Sequence, residues 1–194
     1  MEKCHPRCID ILLYFCGSIG RRYLSRALDV AAGDGRLSIR FLMKYYMKVD
    51  LFDQCPEGVV RAKRAMKGNK RLGYISQARM QDFKWSFQYD AIYMVWCAGY
   101  LSRQELVKLL RNAKNHLDQT WVRMSRRTDP DAHIILLDNI LQPGEEIYLA
   151  KGQLVRAERE LEDIFQEAGL IVHARSGRQT MLDGFKDVAV WALY

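Results

Sequence analysis

The chemistry available to this sequence is most visible in the stretch "DVAAGDGR", from Asp29 to Arg36. Asp29 lies in "RALDVAA", which is typical of a buried strand, and Gly33 and Gly35 form a turn before a predicted helix. Glycines let a ligand approach the backbone closely, and the first amides of a helix are unpaired donors. The stretch therefore predicts a site for a nucleotide-type cofactor. Ala31 stands where such a turn usually has its first glycine.

Asp53 adds a carboxylate at the end of the next predicted strand. It follows Gly33 by 20 residues, and an acid in this position can accept hydrogen bonds from a ribose diol. A dinucleotide fingerprint would require G-x-G-x-x-G, whereas this sequence has an acid ahead of a G-x-G turn. That order resembles the first motif of the class I S-adenosylmethionine-dependent methyltransferases.

The resemblance to this class implies a cofactor-binding set drawn from several segments. Asp29 is implied to steady the loop and the amino end of the cofactor's methionine. Met80 and Gln81, in "QARMQDF", take the position of an adenine contact. The full set implied to bind S-adenosylmethionine is Asp29, Ala31, Gly33, Gly35, Arg36, Asp53, Met80, Gln81 and Val95.

A narrower resemblance is carried by "MQDFKWSFQYDAIYMVWCAGYL" and "IILLDN". They resemble the protein alpha-N-terminal methyltransferases, which methylate the free alpha-amine of Xaa-Pro-Lys-type N-termini. The similarity runs from about Ala27 to the C-terminus and weakens after Asn139. The matching positions are Gln81, Asp82, Phe83, Tyr89, Asp90, Ile92, Trp96, Gly99, Leu101, Lys114, Asp138 and Asn139.

The resemblance also implies an acceptor site. Trp96 and Asn139 are implied to bind the substrate, and Asn139, Tyr100 and Asp138 are the candidate catalytic residues. An amine must be neutral to accept a methyl group, so the site has to accept a proton and orient the nitrogen lone pair. The family uses a histidine where this sequence has Tyr100, and a tyrosine, with a pKa near 10, is a poor base for an ammonium.

Three more positions depart from the family pattern. Lys151 stands where counting from Asn139 puts the family's second acid, and a lysine would repel a substrate ammonium. Val95 directly precedes Trp96, so the family's glutamine is replaced. Ala31 replaces the first loop glycine. Of the residues with which the family handles the amine, only Asn139 and Trp96 remain.

The elements that must position these residues alternate between strand and helix. Buried strands are predicted at "RALDVAA", "KVDLFD", "RLGYISQA", "YDAIYMVWC" and "AHIILLDN", with a final pair at "LIVHARS" and "KDVAVWALY". Amphipathic helices lie between them, including one after a capping box at Ser102 and one closed by Gly169. This alternation predicts an α/β, Rossmann-like class I methyltransferase fold: a mostly parallel seven-stranded sheet, helices on both faces and an antiparallel C-terminal strand.

We expect a single methyltransferase-like domain over residues 1–194. Residues 1–26 would form a helical segment shorter than the one that roofs the family's substrate channel, and residues 27–194 the Rossmann-like core. A basic insertion at about 118–132 carries Trp121, Arg123, Arg126 and Arg127, a composition typical of an interaction hot spot. This loop predicts a protein partner, within a multisubunit complex.

Composition narrows the setting. Five cysteines and four scattered histidines lack metal-ligand spacing, which predicts free thiols, a reducing intracellular compartment and no metal. No apolar run approaches the roughly 20 residues of a membrane span. The net charge of +7 suits an acidic or nucleic-acid partner, although we interpret the basic cluster "RAKRAMKGNKR" as a solvated helix face.

The sequence is compatible with three functions. The four departures favour a pseudoenzyme, that is, a catalytically impaired methyltransferase-like protein of the alpha-N-terminal type. Such a protein would act as a structural or binding subunit of a larger assembly, and it could have kept or lost its cofactor. The alternative is an active S-adenosylmethionine-dependent methyltransferase of protein N-termini, because positioning supplies much of a methyl transfer. An RNA methyltransferase is suggested by the basic charge alone, without the Asn/Asp-Pro-Pro-aromatic signature.

Overall fold

The structure is a computed structural model that describes residues 11–12, 24–118, 132–142, 148–150, 152–179 and 187–194. The predicted N-terminal helical segment and the basic insertion fall mostly outside these residues. The strands are β1 (Leu24–Val30), β2 (Tyr46–Asp53), β3 (Leu72–Gln77), β4 (Ala91–Val95), β5 (His133–Ile140), β6 (Tyr148–Ala150), β7 (Gln153–Val155), β8 (Val172–Arg175) and β9 (Asp187–Leu193). The helices are α1 (a π-helical segment Ser38–Leu42 continued by an α-helical turn Met43–Tyr45), α2 (Pro56–Ala65), α3 (Arg103–Asn115) and α4 (Glu158–Glu167), with a 3-10 turn at Ala98–Tyr100.

Seven of these strands form one mixed sheet in the order β3-β2-β1-β4-β5-β9-β8. The order reverses after β1, which is the arrangement in which doubly wound sheets bind ligands outside the carboxyl ends of their strands. The last strand in the chain, β9, is antiparallel to β5 and to β8. The predicted fold class, with its antiparallel C-terminal strand, is confirmed.

The chain divides into two compact units, Met1–Tyr93 and Met94–Tyr194. In the first, β1 pairs in parallel with β2, and β2 with β3. From Ala27 to Val30 and from Val49 to Asp53 almost every side chain is buried, as expected for strands covered on both faces. β1 ends at Val30, two residues before the predicted end, because the chain turns into a left-handed conformation at Ala31.

Asp50 organises the interior of this first unit. Its side chain is buried on β2, and Oδ1 accepts a hydrogen bond of 2.7 Å from the amide of Tyr74 on β3. Its Oδ2 accepts one of 3.1 Å from the hydroxyl of Tyr89 and lies 3.5 Å from the guanidinium of Arg26. A buried carboxylate is costly unless it is paired in this way. The interaction therefore connects three segments of the unit through one group.

The second unit contains the antiparallel strands β5, β9 and β8. The capping box predicted for α3 is present: the amide of Ser102 donates to Glu105 Oε2 at 2.8 Å, and Ser102 Oγ accepts from the amide of Glu105 at 3.3 Å. Helix α4 ends before Gly169, whose φ of +77° allows the chain to leave the helix. β4 ends at Val95 instead of including "WC", since Trp96 has left the extended conformation.

A hairpin of β6 and β7 was not predicted. Each strand has only three residues, and the pair forms a separate two-stranded sheet. Strands this short show too little alternation to be recognised in a sequence. Within the described residues, no helix is both long and apolar enough to cross a membrane.

The contact between Gly73 and Asp50 yields the first prediction. A Cβ at Gly73 would overlap Asp50 Oδ1 and lie 3.2 Å from the Val49 carbonyl oxygen. Gly73→Ala should therefore lower the free energy of unfolding by about 1–3 kcal/mol, the usual range for overpacking, which thermal unfolding will register as a lower Tm. Gly177→Ala is the matched control, because a Cβ there meets nothing within 4 Å. Equal melting temperatures for the two variants would contradict the role given to Asp50.

Candidate cofactor loop and acceptor segment

The predicted cofactor loop has three left-handed residues at alternate positions. Ala31, Gly33 and Gly35 have φ values of +54°, +59° and +76°. Glycine adopts this conformation freely, whereas a residue with a Cβ does so at roughly 1–2 kcal/mol. Ala31 thus takes the backbone conformation that a glycine would have there. An alanine side chain is therefore present at a position whose backbone conformation favours glycine.

Asp53 lies beside this loop and holds it against β2. Its Oδ2 accepts a 2.7 Å hydrogen bond from the amide of Gly33, and its Oδ1 accepts one of 2.7 Å from the amide of Cys55. The amide of Ala32 donates to the carbonyl of Phe52 at 3.0 Å. Each carboxylate oxygen of Asp53 still has a lone pair available. Asp53, the residue predicted to bind the ribose, therefore also supports the loop.

Asp29, at the end of β1, is only 2% exposed. Ser38 Oγ, in α1, donates a 2.6 Å hydrogen bond to its Oδ2. Burial raises the pKa of Asp29 to about 7, and the hydrogen bond from Ser38 opposes part of that rise. The carboxyl links β1 to the helix that follows the loop, which fits its predicted steadying role. Ser38 was missed, since a serine within a predicted helix carries no distinguishing signal.

Two glycines let α2 approach the loop closely. A Cβ on Gly35 would lie 2.8 Å from Met66 Cε and 3.3 Å from Ala62 Cβ. A Cβ on Gly58 would lie 2.9 Å from the carbonyl oxygen of Gly33. Gly58 is a second residue that the sequence analysis missed. A glycine inside a helix costs about 1 kcal/mol relative to alanine, and that cost was the available signal for a packing role.

Met80 and Gln81 lie half-buried in a turn after β3. The amide of Ala78 donates to the carbonyl of Asp53 at 3.0 Å, which keeps the start of this segment next to β2. Phe83 stacks on Phe52 with ring centroids 3.9 Å apart. The remaining predicted cofactor residue of this unit, Arg36, forms an ion pair of 2.9 Å with Asp34.

In the second unit, residues 96–100 together with Asp138 and Asn139 of β5 make up what we call the acceptor segment. It begins with a strained residue. Trp96 has a φ of +53°, which for a bulky aromatic residue is an outlier that costs about 1–3 kcal/mol. Its amide donates to the carbonyl of Leu137 at 2.8 Å, and among the described residues no atom accepts a hydrogen bond from its buried Nε1. Such strain is characteristic of functional sites. Val95, before it, is half-buried at the end of β4.

Asp138 holds the 3-10 turn that follows. It is 6% exposed, and its Oδ2 accepts a 2.9 Å hydrogen bond from the amide of Ala98. Its Oδ1 accepts one of 2.8 Å from the amide of Asn139. Burial raises the pKa of Asp138 to about 6 despite these hydrogen bonds and the nearby charge of Arg156. The carboxylate is thus directed at main-chain donors.

Arg156 holds the same turn through its carbonyl groups. Its guanidinium, 2% exposed, donates to the carbonyl of Ala98 at 3.0 Å and to that of Leu101 at 2.5 Å. A Cβ on Gly99, between those residues, would lie 2.8 Å from the carbonyl of Leu154. Arg156 was also missed by the sequence analysis, because the carbonyl groups that accept its hydrogen bonds are more than fifty residues away in the chain.

The other predicted acceptor residues differ in exposure. Asn139 is half-buried on β5, opposite Val188 of β9. Tyr100 is 54% exposed at the end of the 3-10 turn. Lys151 lies outside the described residues. Within the part of the chain that the structure describes, no three His, Cys, Asp or Glu side chains form a group that could hold a metal ion.

The fold and the glycine loop define a class I methyltransferase, and comparisons with known proteins narrow the class. The model of the "AdoMet dependent proline di-methyltransferase" family matches residues 12–194. The N-terminal Xaa-Pro-Lys N-methyltransferase 1 of Bos taurus is 30% identical over 171 residues, which are 87% of this chain and 72% of that protein. The Homo sapiens protein of the same name is 29% identical over 171 residues, with the same coverage of 87% and 72%.

A solved structure agrees at the level of the fold. A SAM-dependent methyltransferase from Leishmania major superposes with a TM-score of 0.82 at 24% identity, covering 96% of this chain and 71% of that one. Because the family model matches residues 12–194 and the Bos taurus relative is 30% identical, the chain belongs to the AdoMet-dependent proline di-methyltransferase family, whose cofactor is S-adenosylmethionine. The predicted family resemblance is confirmed.

The left-handed conformation of Ala31 leads to a prediction about stability. Ala31→Gly should raise the free energy of unfolding by about 1 kcal/mol. Glycine removes the strain of the left-handed conformation, and the greater conformational entropy of glycine in the unfolded chain cancels part of that gain. Ala65→Gly, at the last residue of α2, is the control and should not raise it, because Ala65 is helical and has no left-handed strain to relieve. Chemical denaturation measures both. A destabilised Ala31→Gly protein would mean that Ala31 is not strained.

Asp29 leads to a prediction about pH. Because its folded-state pKa of about 7 lies above the unfolded value of 3.8, its stabilising contribution is complete below about pH 4 and is lost as the pH rises to 7. Asp29→Asn removes the titrating carboxyl group, so the variant does not lose stability in this way. Its side-chain oxygen can still accept a hydrogen bond from Ser38 Oγ. Its stability relative to the wild type should rise between pH 5 and pH 7 by up to about 1.4 kcal/mol per pH unit. A flat profile for Asp29→Asn would contradict the raised pKa of Asp29.

Proposed function

We propose that this chain binds S-adenosylmethionine through the loop after β1, is impaired in methyl transfer to a protein N-terminal alpha-amine, and acts as a binding or structural subunit. The bound cofactor would supply an electrophilic sulfonium methyl group. The observation that carries the impairment is Tyr100, a largely exposed phenol where the family has a histidine.

The loop supports cofactor binding. Its three left-handed residues, Ala31, Gly33 and Gly35, keep the amides of the turn in the conformation that glycines would give. Asp53 retains one lone pair on each oxygen, enough to accept the two hydroxyl groups of a ribose. The donor set of the loop therefore fits the cofactor, even though one glycine is replaced.

The acceptor segment supports the impairment. A substrate ammonium must lose a proton before its nitrogen can bond to the methyl carbon, and a positioned base contributes typically 10²–10⁴-fold. Asp138 is buried and directs its oxygens at the amides of Ala98 and Asn139, so it orders the turn rather than accepting a proton from a substrate. Lys151, by its position in the sequence, adds a positive charge where the family has an acid.

An active methyltransferase is the second candidate. It is favoured by the intact loop backbone and by Trp96, whose strained conformation is maintained in an acceptor segment that also keeps Asn139. A free alpha-amine has a pKa of about 7.7–8.0, so roughly a tenth of it is neutral at pH 7. A well-positioned neutral amine could therefore react without a base.

Two measurements separate these functions. Calorimetry should give a Kd for S-adenosylmethionine tighter than about 100 µM, near −5.5 kcal/mol. Mass spectrometry of Xaa-Pro-Lys peptides incubated with the protein and cofactor should then reveal little or no methylation. Failure to bind the cofactor would overturn the first part of the proposal. Clear methylation by the wild type would overturn the impairment and establish the active enzyme.

The role of Tyr100 is tested by Tyr100→His. Histidine restores a side chain that titrates near pH 6.5, so the variant should methylate the peptide about tenfold or more faster than the wild type, with a pH profile that includes the new group. Tyr74→His is the matched control, since Tyr74 is 58% exposed on β3 and is not an acceptor residue. Tyr100→His combined with Lys151→Asp should be faster still. An equal rate in Tyr74→His and Tyr100→His, with cofactor binding intact, would show that the loss of histidine is not what limits transfer.

The subunit role has its own readout. The chain should migrate within a larger assembly in native extract, and deletion of residues 119–131 should release it. A chain that migrates at its own mass of 22.6 kDa would contradict this part of the proposal.

A further inference from the structure

The positive charge of this protein is concentrated in one segment. Residues 40–71 contain nine basic and three acidic residues, so they carry +6 of the net charge of +7. All nine basic side chains are exposed. Two of the three acids, Asp50 and Asp53, are buried and bonded to main-chain amides. The exposed charges of this segment are therefore almost all positive.

Tertiary contacts bring two parts of the segment together. Lys48 Nζ donates to the carbonyl of Lys70 at 2.9 Å, and the guanidinium of Arg71 donates to the carbonyls of Met43 and Tyr46 at 3.0 and 3.3 Å. The loop after α2 consequently lies against the end of α1 and the start of β2. These contacts bring Lys48, Lys70 and Arg71 together. Lys44 directly follows Met43, and Lys67 lies in the same loop as Lys70. We call these five cations, Lys44, Lys48, Lys67, Lys70 and Arg71, the basic surface.

The basic surface has no acidic counter-charge in the part of the chain that the structure describes. Within the described residues, none of its five side chains forms an ion pair with an acid. Glu57, the exposed acid of the segment, stands at the start of α2, and the ten residues of that helix separate it from Lys67 by about 15 Å. Five like charges held together without counter-charges repel one another, so an anionic partner would be stabilised there.

The residue types indicate which kind of anion. Four of the five cations are lysines, which are depleted in protein–protein interfaces but serve as point charges for phosphates. Tyr74, 58% exposed on the edge strand β3, lies three residues beyond Arg71, about 10 Å along the strand. An exposed ring beside a basic surface provides a face on which an unpaired base can stack.

We propose that the basic surface binds the phosphate backbone of single-stranded nucleic acid, RNA in the first instance, with Tyr74 as a stacking platform. The surface is at the amino end of β2, whereas Asp53 and the cofactor loop are at its carboxyl end, about 17 Å along the strand from Lys48. Binding there is independent of cofactor binding and of methyl transfer, so the two proposals fail or succeed separately.

The test is fluorescence anisotropy of the full chain with a labelled 20-nucleotide oligouridine across a range of salt concentrations. The wild type should bind with a Kd of about 1–100 µM at physiological salt, and more tightly as salt falls. The triple variant Lys44→Gln, Lys67→Gln, Lys70→Gln should reduce the slope of log K against log[salt] by about 2, and weaken binding on the order of 100-fold at 0.1 M salt. Lys48 and Arg71 are left intact because they brace the fold.

The matched control removes the same charge elsewhere: Lys84→Gln, Lys108→Gln, Arg159→Gln, all exposed. It should bind within about twofold of the wild type, and thermal unfolding checks that both triple variants remain folded. Tyr74→Ala should weaken binding about fivefold or more, with an unchanged salt slope. Equal binding of single-stranded DNA of the same length would support phosphate recognition.

Several outcomes would overturn the proposal. Equal weakening by the two triple variants would mean that net charge, not this surface, determines binding. Tighter binding of a 20-residue polyglutamate peptide would identify an acidic protein as the partner. Tighter binding of vesicles containing phosphatidylserine would identify an anionic membrane surface, and the absence of binding to all probes would mean that the surface is only solvated.

Discussion

The need of buried carboxylates for hydrogen-bond donors shapes both candidate sites of this protein. An ionised carboxylate removed from water without a donor is strongly disfavoured. Asp29 obtains a donor from Ser38, Asp53 from the amides of Gly33 and Cys55, and Asp138 from the amides of Ala98 and Asn139. In the first unit, Asp29 and Asp53 thereby fix the helix and the loop that follow β1. In the second unit, Asp138 fixes the turn that follows β4.

This constraint explains how the backbone of the cofactor loop can persist while its residues change. Asp53 and Phe52 hold the loop through its amides, which every residue except proline provides, so Ala31 can replace a glycine if the protein accepts left-handed strain. The acceptor segment differs, because proton transfer depends on the side chain itself. A phenol at Tyr100 can share the backbone position of a histidine without sharing its chemistry.

The distribution of charge is a separate property of the same scaffold. Buried acids neutralise few of the surrounding cations, since their carboxylates accept hydrogen bonds from groups in the interior. Asp50 and Asp53 are bonded inside the first unit, so their negative charges do not offset the cations on its surface. Net charge calculated from a sequence thus underestimates the field that a partner of the basic surface would experience.

Periodicity was enough to predict the alternation of strands and helices, the capping box at Ser102 and the helix end at Gly169, because these depend on local patterns of residue type, and the family followed from the resemblance of specific motifs. The sequence also singled out Ala31, but its left-handed conformation became known only from the structure. Ser38, Gly58 and Arg156 could not be predicted, since their roles come from partners distant in the chain or from how closely a helix approaches a loop. The same reason applies to the basic surface. Taken alone, the cluster in "RAKRAMKGNKR" indicates a solvated helix face, and only folding puts Lys70 beside Lys48 and Arg71 beside Met43. The sequence by itself determined which groups the protein has and the elements that carry them. The tertiary structure decided which of those groups meet, because hydrogen bonds and charges act through space and not along the chain.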